Sequence, residues 1–113
     1  MERQLAEISM RIILDAGDAR LYCKEALDAV SEFDFETAHS KIKLASEKIK
    51  KAHKVQTGAI QGEAKGEKLE HSLLFTHAQD TLMSVYSEIN MAKKIIKISE
   101  GLDKRLAAIE KGR

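Results

Sequence analysis

Residues 69–102, LEHSLLFTHAQDTLMSVYSEINMAKKIIKISEGL, decide the fold of this chain. No Pro interrupts them, and their one Gly, Gly101, stands near the end, so the stretch predicts a single long helix, the third in the chain. Each residue turns the helix by about 100°. On that wheel Leu74, Ala78, Leu82, Val85, Ile89, Ala92 and Ile96 share one face, which suits packing against two other helices. Leu73, Met91, Ile95, Ile98 and Leu102 make a second apolar stripe, and His77, Asp80 and Ser84 fall inside it. A helix apolar on two faces is normally buried on both, and a short chain cannot easily bury both by itself. The second stripe therefore predicts packing against copies of the same chain about a rotation axis, with the number of copies left open.

The rest of the chain supplies two partners for that helix. Leu5, Ile8, Ile12, Ala16, Ala19, Cys23, Ala26 and Val30 recur three or four apart and predict helix one over about 5–31. Asp34 is a good N-cap for helix two, about 34–60, in which Ala38, Ile42, Ala45, Ile49 and Ala52 continue the spacing and Gln56 takes the next seam position. Gly58, Gly62 and Gly66 predict a frayed, mobile connection over about 58–66, with helix three over about 67–105 and a fraying tail. The expectation is an all-α, antiparallel three-helix bundle, one domain spanning 1–113. Gly17, mid-helix, needs a reason; a close helix crossing is one, and room beside His77 is another that spacing alone cannot place there and only a family resemblance would imply. Cys23 reads as a small buried hydrophobe, His39 and His53 as surface or boundary residues, and His71 as core packing.

Composition narrows the function. The 19 Lys and Arg against 18 Asp and Glu leave a net charge of +1, with no basic excess to suggest nucleic acid. The cluster around Lys48–Lys54 reads as a solvated helix face. No apolar run approaches the ~18–20 residues that cross a bilayer, and the N-terminus is charged where a signal peptide would be apolar, so a cytoplasmic protein without direct membrane insertion is expected. The one cysteine excludes an intrachain disulfide, and the absence of Pro favours long unbroken helices. Neither a nucleotide loop, a Gly-x-Ser-x-Gly turn nor a Cys-x-x-Cys pair is present.

What chemistry the chain does offer sits at His77 and Asp80, i and i+3 on one side of helix three. A neutral imidazole is a nucleophile near pH 7 and a good leaving group once phosphorylated. A histidine on an apolar seam can also be a packing residue, but an ionised carboxylate there costs several kcal/mol unless a cation or donors meet it. The segment Leu73-Leu74-Phe75-Thr76-His77-Ala78-Gln79-Asp80-Thr81-Leu82-Met83 resembles the signature of the enzyme IIA component of the lactose/cellobiose (chitobiose) class of the bacterial phosphoenolpyruvate-dependent sugar phosphotransferase system. Residues 12–20, 25–27, 34–38 and 52–57 resemble that family in the same order, so the resemblance covers nearly the whole chain. One position departs, since the family usually has a second His directly after the Asp, where this chain has Thr81.

The resemblance implies a phosphocarrier. His77 would accept a phosphoryl group from the phosphohistidine of HPr and pass it to a cysteine of the enzyme IIB component during uptake of a disaccharide. It implies that Gln79 helps shape the pocket, that the protein is a homotrimer, and that three copies of Asp80 meet on the axis around Mg²⁺. Two other classes fit a small helical bundle, a histidine phosphotransfer domain of two-component signalling and a structural coiled-coil adaptor. The former carries His-x-Leu-Lys-Gly, against His77-Ala78-Gln79-Asp80-Thr81 here.

Overall fold

The computed structural model describes residues 2–64 and 72–112. Three helices account for them: α1 (Glu2–Ser31), α2 (Phe35–Ala64) and α3 (Leu73–Lys111). The turn between α1 and α2 is built by the backbone. The Asp34 amide donates to the Ala29 carbonyl at 2.9 Å and the Phe33 amide to the Val30 carbonyl at 2.9 Å, the paired bonds of a Schellman stop. Phe33 accordingly takes φ 57°, a left-handed conformation that glycine usually supplies there. Asp34 then caps α2, accepting from the Thr37 amide at 3.1 Å.

Cross-helix contacts fix the directions. Lys41 meets Glu25 and Lys48 meets Asp18, so α2 runs back along α1. His39 meets Glu100, His53 lies against Tyr86 and Gln56 meets Gln79, so α3 runs back along α2. Arg20 clamps Glu88 through two bonds of 3.0 and 2.7 Å, tying α1 to α3, which point the same way. The result is the expected antiparallel bundle, a rod of 68 × 21 × 18 Å. With residue 39 level with residue 100, α2 begins opposite residue 104 or so. The last two turns of α3, about 10 Å of helix, project past the α1–α2 turn.

The core is one seam of small and branched side chains, including Ile12, Ala16, Ala19, Cys23, Ala38, Ala45, Ile49, Leu82, Val85, Ile89 and Ile96. Alanines at the crossing points let the helices approach closely. Cys23 belongs to this seam, its Sγ 3.8 Å from the Glu88 carbonyl, and burial first, then the Glu88 charge, pushes its thiol up. It is a packing residue and a poor nucleophile.

Several boundaries differ from expectation. Helix two continues through Gly58 and Gly62 to Ala64, because in the middle of a ladder a glycine costs only about 1 kcal/mol and does not stop it. The remainder of the expected connection, residues 65–66, and His71 lie outside the described residues. The helix expected from 67 has its cap at Ser72, and it ends at Lys111, well beyond 105, where the Gly112 amide closes the last turn. On α3 Phe75 takes the core position expected for Leu74, which is half-buried. Phe75, Ala78, Leu82, Val85, Ile89, Ala92 and Ile96 alternate steps of three and four, the spacing that keeps a seam straight along neighbouring helices. Ser9 is fully buried in α1 and donates back to the Leu5 carbonyl at 2.8 Å.

Candidate phosphoryl-transfer site

The site begins with Ser72. Its backbone is extended (φ −135°, ψ 119°), its hydroxyl accepts from the Phe75 amide at 3.1 Å, and its carbonyl starts the helical ladder by accepting from the Thr76 amide at 3.1 Å. The Thr76 hydroxyl donates to the same carbonyl at 3.0 Å, so the first turn of α3 is held at both ends. His77 follows one turn in. Helical side chains lean toward the N-terminus, so its ring overlies the first turn, where the amide groups carry the positive end of the helix dipole.

His77 is exposed and lines an open hollow of about 550 Å³ with Leu73, Leu74, Thr76 and Asp80. Asp80 is exposed beside it. The structure thus brings His77 and Asp80 together on the second stripe, whose apolar members stand in water on a single chain: Leu73 is 81% exposed, Met91 65% and Ile98 62%. On that single chain the Asp80 carboxylate pays no burial penalty. The penalty arises only when another surface covers the stripe. No three potential metal-ligating side chains of one chain converge among the described residues, so one chain offers a divalent cation a single carboxylate at this point.

Gln79 does not join the pair. Two residues on from His77 it is about 200° round the helix. It faces α2, where its Oε1 accepts from Gln56 Nε2 at 3.1 Å. Gln56 is buried at 8% exposure. Gly17 is also elsewhere: Arg20 is level with Glu88, so Gly17 is level with about residue 85, some 12 Å along the axis from His77. A Cβ built at Gly17 would meet nothing within 4 Å, so a close crossing within the chain does not require it either.

Comparison with known proteins gives the family. The family model described as PTS system, lactose/cellobiose specific IIA subunit matches residues 7–100. The chain belongs to this family. The lichenan-specific phosphotransferase enzyme IIA component of Bacillus subtilis (strain 168) is 40% identical over 108 residues, 96% of this chain and 98% of that protein. Among solved structures, the cellobiose-specific enzyme IIA from Bacillus anthracis superposes with a TM-score of 0.83 at 37% identity, covering 87% of this chain and 90% of that one. The IIA(chitobiose) of a complex with HPr, from the Escherichia coli phosphotransferase system, superposes with a TM-score of 0.77 at 31% identity, covering 88% and 96%.

As a IIA component the chain is a phosphotransferase carrier, which sets aside the two-component and adaptor alternatives. Among the described residues no helix is long and apolar enough to cross a membrane. Thr81 donates its hydroxyl to the His77 carbonyl at 2.9 Å. One residue that builds the site, Ser72, is absent from the sequence reading. Ser72 had a legible signal, a serine directly before an apolar run; Gln56 was seated correctly on the seam, but its partner Gln79 was not foreseen.

Proposed function

We propose that His77 is the phosphorylated residue of this IIA component, taking a phosphoryl group from the phosphohistidine of HPr and giving it to a cysteine of the enzyme IIB component during uptake of a disaccharide of the lactose/cellobiose type. The observation that carries the proposal is the placement of His77: an exposed imidazole one turn inside a capped helix N-terminus, in a hollow open to a large partner. Its neutral ring nitrogen attacks phosphorus as the phosphorus–nitrogen bond of the donor breaks. A thiolate later attacks the same phosphorus and the imidazole leaves. Positioning and charge stabilisation do most of the work in such transfers, and His77 stands close to the positive end of the α3 dipole. A site reached by two partners in turn has to be shallow, as this one is. The likeness to a IIA solved with HPr supports HPr as the donor. A cytoplasmic location follows from this role.

The same proposal includes a homotrimer with the second stripe of α3 on the axis, and Mg²⁺ held there by three copies of Asp80. Three carboxylates give the oxygen ligands that a hard divalent cation takes, where one chain gives one. The ion supplies charge neutralisation and takes no part in the transfer.

The test is incubation with phospho-HPr. Wild type is expected to gain one acid-labile phosphate per chain, and His77→Ala none, with its helical content and assembly unchanged. Label on His77→Ala, or label mapped to His39 or His53 in wild type, overturns the assignment.

A further inference from the structure

We propose that Gln56 is a positioning residue for phosphoryl transfer: through its bond to Gln79 it sets the roll of α3 about its own axis, and so the direction in which His77 points. The inference rests on His77 being the phosphorylated residue. Gln79 and His77 are two residues apart on α3 and leave it on opposite flanks, Gln79 toward α2 and His77 toward the hollow. Whatever fixes one flank fixes the other.

Phe75 and Leu82, buried on either side of Ala78 along α3, hold the helix in the seam and resist large rolls, and the finer setting of the roll is left to what lies beside them. Ala78, fully buried, holds the helix at its distance from the seam but offers only a methyl group as a lever. Apolar contact is non-directional, whereas a hydrogen bond weakens steeply when bent. At this end of the bundle the Gln56–Gln79 bond is the one side-chain hydrogen bond between α2 and α3 among the described residues; the other, His39 with Glu100, is at the far end. A roll of about 20° carries a ring some 6 Å from the helix axis through about 2 Å. In-line transfer tolerates much less than that. Gln56 is 8% exposed, so a roll that broke the bond would leave an amide buried without a partner, which opposes the motion.

Methionine matches glutamine in length and removes its hydrogen bonds. The experiment compares wild type, Gln56→Met, Gln79→Met and the double variant in single-turnover transfer from phospho-HPr at varied donor concentration, with melting temperatures alongside. The expected result is a fall of about tenfold in the saturating transfer rate of either single variant. The half-saturating concentration should hold, since the docking surface is untouched, and the double variant should be no slower than the singles, because all three lack the same bond. Transfer at the wild-type rate, whatever the melting temperature, overturns the proposal, and so do single effects that add in the double or a change confined to half-saturation. Should Gln56→Met fail to fold, Gln79→Met, on the half-buried partner, decides the matter in the same way. A wild-type chain that takes no phosphate from phospho-HPr overturns the phosphocarrier reading itself, before any variant is compared.

Discussion

Thr81 overlies the same face as His77, one turn further along, where the family resemblance expects a histidine. Its hydroxyl has a single proton, and that proton goes to the His77 carbonyl at 2.9 Å. Stabilising a phosphoryl oxygen would require giving up this bond, and a hydroxyl carries no charge in exchange. An imidazolium at the same position would add a charged donor beside the phosphate. Thr81→His is therefore expected to lengthen the life of the phosphohistidine severalfold near pH 6, with the gain shrinking as pH rises through the imidazole range and the added ring loses its proton. Following the decay of the phosphohistidine by phosphorus NMR at the two pH values checks this. An equal lifetime in the two proteins at pH 6 would show that the site has no use for charge at residue 81.

Among the elements, α2 shows how much a single cap contributes. Hydrogen bonds from Thr37, its side chain first and its amide second, hold the Asp34 carboxyl below the usual carboxylate range. With the folded value depressed, the unfolded chain binds the proton more readily, so the stabilisation is complete above the ordinary carboxylate range and is lost as pH falls through the folded value. Asparagine caps nearly as well and does not titrate. Asp34→Asn is expected to match wild type more closely at pH 3 than at pH 7 in urea unfolding; equal differences at both pH values would remove the carboxylate from the account. The Asp34 cap was legible because an N-cap acts within one turn of its own residue. The observed cap differs from the expected start near 67 for a related reason: acidic residues suit a helix N-terminus electrostatically, but Ser72 has the extended backbone and the hydroxyl bond that define one. Similarly, spacing alone admits either Leu74 or Phe75 to the seam, and the neighbouring helices seat Phe75. The Gln56–Gln79 bond was out of reach altogether, since it depends on the register of α2 against α3, which periodicity within one helix does not carry.

At the scale of the whole molecule the bundle satisfies one stripe of α3 and leaves the other in water. Leu73, Met91, Ile95, Ile98 and Leu102 are all at least 41% exposed on one chain, a row of apolar side chains that runs most of the length of a 39-residue helix. Covering it with like stripes of other copies returns this surface to an apolar environment. In the trimer proposed above, the same step would bring the Asp80 carboxylates together, where they would repel and lose water unless a cation or a proton neutralised them. Assembly and ion binding are then linked: whatever binds the trimer and not the monomer stabilises it. Chelation is expected to lower the melting temperature of the assembly or shift it toward monomer in sedimentation. Asp80→Leu should abolish that dependence while keeping the trimer, because leucine continues the stripe between Leu73 and Met91. The alternative is that Asp80 serves only to orient His77 from one turn away. On that account the metal is irrelevant to assembly, and Asp80→Leu would slow transfer from phospho-HPr without changing the response to chelator. Sedimentation of both proteins with and without chelator separates the two. A wild-type trimer that is indifferent to chelation, and carries no divalent cation by elemental analysis, would leave Asp80 with the orienting role alone.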